Sequence, residues 1–164
     1  MSRTKSIVFP NSLSEFSALF DKLQRAMSAQ VLNSAGLAIG SSNKPKVKIV
    51  NTTYALIEGA LASKTTAEIV LSGSVTTAKY NVYVLSMDVA GTVTASMGTE
   101  ATTLAGVTFP TLADGSAMIG FVIVHPTGTG SFVGGTTDLD DATVVPNAVY
   151  VNTPFPILPS MQAL

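Results

Sequence analysis

Hydrophobic residues near the start of the chain recur with the period of a helix. Ser12 and Glu15 have the spacing of a capping box, in which each side chain bonds the backbone N–H of the other residue. Apolar residues then follow at alternating intervals of three and four, which places them on one face of a helix. The pattern predicts an amphipathic helix from about residue 12 to 32. Its apolar side consists of Leu13, Phe16, Phe20, Leu23 and Met27, widened by Leu19, Ala26 and Val31.

This apolar side has two interpretations. It packs against the rest of its own chain, or it forms a helical seam between subunits. The spacing does not distinguish them, because a pattern of fewer than about three heptads is too short to establish a coiled coil.

After residue 46 the hydrophobic pattern changes to a period of two. Segment 40–46, Gly-Ser-Ser-Asn-Lys-Pro-Lys, interrupts the helical pattern and is interpreted as a linker. Short runs of β-branched and apolar residues follow, separated by glycine-containing turns, and this is typical of strands. The continuous apolar run at 118–124 predicts a strand buried on both faces. The predicted strands are 47–50, 54–60, 69–70, 81–87, 92–97, 103–107, 118–124, 131–133 and 142–151.

Together these elements predict a mainly β fold, an antiparallel β-sandwich or Greek-key barrel preceded by one N-terminal amphipathic α-helix and flanked by extended arms. The predicted division is 1–46 for the N-terminal arm, helix and linker, 47–152 for the β-sandwich domain, and 153–164 for a Pro-rich C-terminal arm. Three prolines between 154 and 159 exclude a central strand, since proline cannot donate to a sheet. The apolar residues of the two arms are Ile7, Val8 and Phe9, and Phe155, Ile157 and Leu158.

The composition predicts that much of the protein surface is covered by a partner. Only 12% of the 164 residues are charged and 46% are apolar, whereas about 25% of residues are charged in an ordinary soluble domain. Exposed contiguous apolar surface marks an interface, so we expect self-association or docking onto a partner. No segment approaches the ~18 apolar residues that span a bilayer, and residues 1–30 lack the apolar segment of a signal peptide.

The charges are segregated along the chain. Residues 1–50 contain seven basic and two acidic side chains, whereas residues 51–164 contain two basic and eight acidic ones. This asymmetry predicts that the basic N-terminal third meets an acidic partner, or that it serves head-to-tail contacts between copies. The basic residues are dispersed and lack interleaved aromatics, which argues against nucleic-acid binding.

Few residues are candidates for catalysis or metal binding. His125, the one histidine, ends the most apolar predicted strand and is interpreted as a strand-end residue. No Gly-x-Ser-x-Gly motif and no P-loop is present, so we expect no enzyme and no cofactor. Asp138, Asp140 and Asp141 form the one local acidic cluster. A loop calcium site is the metal alternative for these carboxylates, and capping of a turn is the other interpretation.

Residues 119–153 carry a resemblance to a known family. They read IGFVIVHPTGTGSFVGGTTDLDDATVVPNAVYVNT, with an apolar strand, a Gly-Thr-Gly turn, Phe-Val-Gly-Gly-Thr-Thr, Leu-Asp-Asp and a late Val-Asn-Thr. In this order they resemble the C-terminal part of tailed-bacteriophage virion structural proteins of the head decoration, cement or head-fibre type. The resemblance implies a non-catalytic β-domain that binds the capsid surface as a dimer or trimer.

We therefore expect a non-enzymatic virion structural protein on the outer surface of the head, where it stabilises the shell as a decoration, cement or head-fibre base subunit. Its expected partners are the major capsid protein and its own copies, with a trimer favoured over a dimer, and neither nucleic acid nor a membrane. The alternative is a host-surface or carbohydrate-binding module of a tail or fibre, which requires exposed aromatic side chains. Deletion of residues 1–46 is expected to abolish particle binding while the β-domain stays folded. The interface candidates are Ile7, Val8, Phe9, Leu13, Phe16, Phe20, Leu23, Met27, Phe155, Ile157 and Leu158.

Overall fold

The computed structural model describes residues 14, 16–20, 29–145 and 148–154. Within these residues the protein is mainly β, with every strand pair antiparallel and a short helix near the N-terminus, as the sequence predicts. A 3₁₀ turn also occurs at Leu104–Gly106. The strands are β1 (Ala29–Val31), β2 (Ala38–Ile39), β3 (Lys46–Ile49), β4 (Thr53–Ile57), β5 (Ala60–Lys64), β6 (Ala67–Val70), β7 (Ser74–Val75), β8 (Asn81–Asp88), β9 (Val93–Met97), β10 (Ser116–Val124), β11 (Phe132–Val133) and β12 (Val149–Asn152).

The described strands form four sheets. Their orders are β1-β4-β5, β12-β10-β8-β9, β11-β7 and β2-β3-β6. Buried residues from all four sheets, including Val31, Val47, Val75 and Leu85, belong to one hydrophobic core. The inner faces of the sheets therefore stabilise one another.

The β structure begins earlier in the chain than the sequence predicts. The predicted helix of 12–32 is wrong at its C-terminal end, because Ala29–Val31 pairs with β4 as a strand. The predicted linker 40–46 is a hairpin connection between β2 and β3, closed by a hydrogen bond from the Gly40 amide to the Lys46 carbonyl (2.8 Å). Strands that pair with the later β structure thus precede residue 47, the predicted start of the β-domain.

Two further predicted strands differ in the structure. Residues 103–107 contain a 3₁₀ turn, since the amides of Gly106 and Val107 bond the carbonyls of Thr103 and Leu104. Residues 142–144 are in a turn, and the strand of this region is Val149–Asn152. In both segments the β-branched composition suggested a strand, but the backbone forms a turn instead.

The central pair β8 and β10 is buried on both faces, as predicted for residues 118–124. A β-bulge at Ile119 divides β10, because Met118 pairs with Ser86 and Gly120 pairs with Leu85. The extra residue reverses the alternation of the side chains. Ala117, Ile119, Val122 and Val124 therefore all face the main core, while Met118, Phe121 and Ile123 face the opposite side.

The outer face of β8 and β10 is covered by the chain itself. Val107, Phe109 and Leu112, from the segment that links β9 to β10, pack on it in a second hydrophobic cluster. The rings of Phe109 and Phe121 meet edge to face, with centroids 5.1 Å apart. This loop shields an apolar face that water would otherwise reach.

A buried tyrosine in the main core has a hydroxyl that lowers the stability of the fold. Tyr83 is fully buried with its ring edge-on to Phe132, and no described residue hydrogen-bonds its hydroxyl. Burial, with a smaller effect of the Glu100 charge, raises the pKa of Tyr83 well above its usual range. A buried hydroxyl without a partner costs about 1–3 kcal/mol.

We expect Tyr83→Phe to raise the free energy of unfolding by about 1 kcal/mol, because it removes that hydroxyl and keeps the ring. Urea denaturation followed by circular dichroism measures the change. Tyr54→Phe, at an exposed tyrosine, is the control and should leave stability within about 0.5 kcal/mol of the parent. A loss of stability in Tyr83→Phe contradicts the prediction and indicates a bound water on the hydroxyl.

Candidate interaction surface

The outer face of the sheet β1-β4-β5 is apolar and open to solvent. In β4 the side chains alternate, so that Thr53, Ala55 and Ile57 are buried while Tyr54 and Leu56 are exposed. Leu56 lies opposite Leu61 of β5 in the antiparallel register. Such opposed side chains have Cβ atoms about 4.5–5.5 Å apart and form one continuous surface.

Leu32 extends this surface beyond β1. Its amide donates to the Tyr54 carbonyl (2.8 Å), which continues the β1–β4 ladder by one residue. The exposed fractions are 48% for Leu32, 43% for Tyr54, 38% for Leu56 and 66% for Leu61. We call Leu32, Tyr54, Leu56 and Leu61 the apolar face. Gln30 and Ser63 fill the remaining outward positions of this sheet, so the strands present no charge on this side.

The two outer faces of the fold differ in whether another part of the chain covers them. The outer face of β8–β10 is covered by the protein's own loop, whereas the described residues leave the apolar face uncovered. An apolar surface of several neighbouring large side chains is typical of an interaction site. The contrast therefore identifies the apolar face as the strongest candidate interface among the described residues.

The N-terminal helix presents a second open apolar surface. Phe16, Leu19 and Phe20 have the helical spacing of three and four residues and are 54%, 42% and 58% exposed. The rings of Phe16 and Phe20 stack on each other, with centroids 6.2 Å apart. We call these three residues the helix stripe.

Two of the sequence-based interface candidates, Phe16 and Phe20, belong to the helix stripe and are exposed. The other candidates lie outside the described residues; they are Ile7, Val8, Phe9, Leu13, Leu23, Met27, Phe155, Ile157 and Leu158. The apolar face itself was missed. The signal that could have located it is Glu58-Gly59, a two-residue turn with positive φ at both positions, which divides the predicted strand 54–60 and brings Leu61 opposite Leu56.

The carboxylates of Asp140 and Asp141 make an ion pair and hydrogen bonds that stabilise the loop in which they lie. Asp140 pairs with Lys44 (2.7 Å), and Asp141 accepts hydrogen bonds from the amide and hydroxyl of Thr143 (2.8 and 2.6 Å). The Thr143 hydroxyl, followed by its amide, lowers the pKa of Asp141. The Asp138 carbonyl accepts from the Asp141 amide. No group of three or more acidic or histidine side chains is placed to hold a metal in the described part of the chain. The arrangement favours turn capping over calcium coordination.

Folding partly cancels the segregation of charge along the sequence. Lys44, from the basic third, pairs with Asp140 from the acidic part. Lys48 lies opposite Glu68 in the β3–β6 register and donates to the Ser41 hydroxyl (2.7 Å). These lysines are thus matched within their own chain, which weakens the interpretation of a basic docking face for the described residues.

The described aromatic side chains outside the apolar face and the helix stripe are mostly buried or packed against other rings. His125 stacks on Tyr80, with centroids 3.6 Å apart and the rings within 13° of parallel. The Tyr150 hydroxyl is buried, and this burial raises its pKa to about 12. Of the four tyrosines, Tyr54 is the exposed one. Among the described aromatic side chains, the exposed ones that a sugar-binding platform could use are Tyr54 on the apolar face and Phe16 and Phe20 on the helix stripe.

An ionic cluster stabilises the turn before β8. The Glu100 carboxylate accepts from the Lys79 ammonium (2.7 Å), the Thr76 amide (2.8 Å) and the Thr76 hydroxyl (2.9 Å). These bonds, that of Lys79 first, lower the pKa of Glu100 from 4.5 to about 2. The unfolded chain therefore binds a proton at Glu100 at a higher pH than the folded protein does. The contribution of this cluster to stability is present above pH 4.5 and is lost as the pH falls towards 2.

We expect Glu100→Gln to be less stable than the parent above pH 4.5, with a difference that shrinks as the pH is lowered towards 2. Urea midpoints measured across this pH range test the expectation. Glu58→Gln, at an exposed carboxylate in the β4–β5 turn, serves as the control for the loss of one charge. A difference between Glu100→Gln and the parent that stays constant at every pH would contradict the assignment.

Among the described residues no helix has the length and apolar character needed to cross a bilayer. Comparisons with protein-family models, with curated proteins and with solved structures found no match to this chain.

Proposed function

We propose that the chain is a non-enzymatic structural subunit of a bacteriophage particle, which binds the major capsid protein at the outer surface of the head and stabilises the shell. The observation that carries the proposal is the open apolar surface, made of the apolar face and the helix stripe, on a chain with 12% charged residues. A surface of this kind is stabilised when a partner covers it.

The phage assignment rests on the resemblance of residues 119–153, most of which lie in the described part of the fold. Their first and last parts are adjacent strands, β10 and β12, paired from Gly120–Asn152 to Ile123–Val149. Leu139 is buried in the main core, and Asp141 caps its turn. These described residues thus have structural roles in the β fold.

The finer architecture is also a proposal. The sheets β1-β4-β5 and β12-β10-β8-β9 form the two layers of a β-sandwich, because Ala55 and Ile57 of one share the core with Leu85 and Ile119 of the other. In this arrangement the apolar face is the outside of one layer and the loop-covered face is the outside of the other.

Addition of the purified chain to phage particles assembled without it tests the function. We expect saturable binding that pellets with the particles and raises the temperature at which the shell releases its genome. A decoration subunit adds contacts to the assembled shell, and ligands that bind only the intact state stabilise it. Absence of binding, or binding to tails or host cells alone, contradicts the proposal and promotes the adsorption alternative.

A further inference from the structure

We propose that residues 102–112, part of the segment that covers the outer face of β8 and β10, form a strap that opens as a unit while the rest of the fold stays intact. When the strap opens, it uncovers a second apolar surface of the protein. This inference is independent of the proposed function, since it concerns how one segment is held on the fold.

The strap is fixed at both of its ends. Before it, the amides and carbonyls of Ala101 and Tyr80 exchange two hydrogen bonds (2.8 and 3.0 Å), and Glu100 belongs to the ionic cluster that precedes β8. After it, the Ser116 hydroxyl donates to the Ala113 carbonyl (2.6 Å) at the start of β10. These bonds are the two points between which the strap can move away from the sheet.

Between these ends, no hydrogen bond joins the strap to a strand of the sheet in the described part of the chain. Its backbone bonds either close its own 3₁₀ turn or connect Thr108 to Thr99, which precedes the strap. Opening therefore breaks at most the two bonds between Thr99 and Thr108, and it leaves the ladders between β8, β9, β10 and β12 in place.

Apolar side chains hold the strap on the sheet. Val107, Phe109 and Leu112 pack on the outer face, and all three are only partly buried. The main core, in contrast, contains fully buried side chains from all four sheets. Because hydrophobic stabilisation scales with the apolar area removed from water, the strap is held much more weakly than the sheets are held to one another.

The two hydrophobic clusters are separate, so that one can open without the other. Proteins open locally with free energies that range from about zero to that of global unfolding, and segments with few buried contacts lie at the low end. The strap therefore opens before the sheets separate. The side chains that its opening exposes to solvent are Val82, Val84, Met118, Phe121 and Ile123.

Thiol labelling of single-cysteine variants tests the opening, because the sequence contains no cysteine. Val84→Cys places a thiol beneath the strap, and Val122→Cys places one in the main core. Both valines are fully buried on the central strands, so the substitutions are matched. A reagent reaches such a thiol only when the fold opens around it. We expect Val84→Cys to react at least about tenfold faster than Val122→Cys under native conditions.

A substitution in the main core separates opening of the strap from global unfolding. Ile57→Val should speed the labelling of Val122→Cys by about two- to tenfold. It should leave the labelling rate of Val84→Cys unchanged, because the open state keeps the main core.

A substitution in the strap tests which contact holds it. Phe109→Ala removes the ring that packs edge-on against Phe121 and should speed the labelling of Val84→Cys at least about fivefold. Leu104→Ala, at a 49% exposed leucine of the strap outside the cluster, is the control and should not change this rate.

Equal labelling rates for Val84→Cys and Val122→Cys would overturn the inference, and so would an equal response of both to Ile57→Val. Either result would show that the outer cluster becomes accessible only when the whole fold opens. If Val84→Cys shifts the urea midpoint of the parent, Met118→Cys places the thiol in the same cluster from β10 and the comparison is repeated. All variants are made in the full-length chain.

Discussion

A chain that begins at Ala29 is expected to unfold cooperatively in urea, and a chain that begins at Val47 is expected to show no cooperative transition. The shorter deletion removes the helix, whose described side chains are exposed. The longer one also removes β1 and β2, with the buried side chains of Ala29, Val31, Ala35 and Leu37. Losing four core side chains and two strands costs an amount comparable with the roughly 5–15 kcal/mol by which a domain is stable.

Segment 29–46, which the longer deletion removes, bonds to distant parts of the chain. β1 pairs with β4, and the Leu37 amide donates to the Asn152 side chain (2.9 Å). Circular dichroism and tryptic digestion of both deletions measure the outcome. Retention of a cooperative, protease-resistant fold by the chain from Val47 would contradict this expectation and would support the domain boundary at 46 that the sequence predicts.

Gly120→Ala is expected to cost about 2–5 kcal/mol of unfolding free energy, the second largest effect. Gly120 follows the bulged residue Ile119 in β10, at a φ of 157°. A Cβ there would collide with the Val151 carbonyl oxygen and would lie 2.6 Å from the Leu37 side chain. The close approach lets β12 pair with β10, so an added methyl group has to push apart the central sheet and the core beneath it.

Gly130→Ala is the matched control for this substitution. Its φ of 99° is also positive, but nothing lies within 4 Å of an added Cβ. Gly130→Ala therefore measures backbone strain alone, about 1–3 kcal/mol, and Gly120→Ala adds the steric clash. Urea denaturation compares the two directly, and equal losses of stability would show that the clash at Gly120 is relieved by movement of β12.

The sequence predicted the β class and the central strand well. Residues 118–124 form a continuous apolar run, and such a run is stable when both of its faces are covered. The bulge was not predictable from this run, because it depends on the register between Gly120 and Leu85 and on the close approach of β12.

The prediction from sequence was wrong at a three-residue strand whose conformation depends on a distant partner strand. Ala29-Gln30-Val31 continues the spacing of the helix and has no local turn signal before it. Its conformation is decided by β4, about 25 residues later, through the pairs from Ala29–Ile57 to Val31–Ala55. Local propensity therefore predicted a longer helix than the structure has.

The sequence located residues of the helix stripe but not those of the apolar face. The helical spacing located Phe16 and Phe20, because a stripe is a property of one continuous segment. The apolar face joins Leu32, Tyr54 and Leu61 from three segments, and only the antiparallel register places them side by side. The same reason explains why Lys44 and Asp140, 96 positions apart, looked like separate charge blocks in the sequence and pair in the fold.

The central claim, that the chain is a subunit on the outer surface of a phage head, is tested most directly by immunogold labelling of purified particles. An antibody raised against residues 29–145 would be applied to intact particles and to particles assembled without the chain. The account predicts gold distributed over the head surface of the former and none on the latter. Gold confined to tails or fibres, or no gold on intact particles, would contradict it.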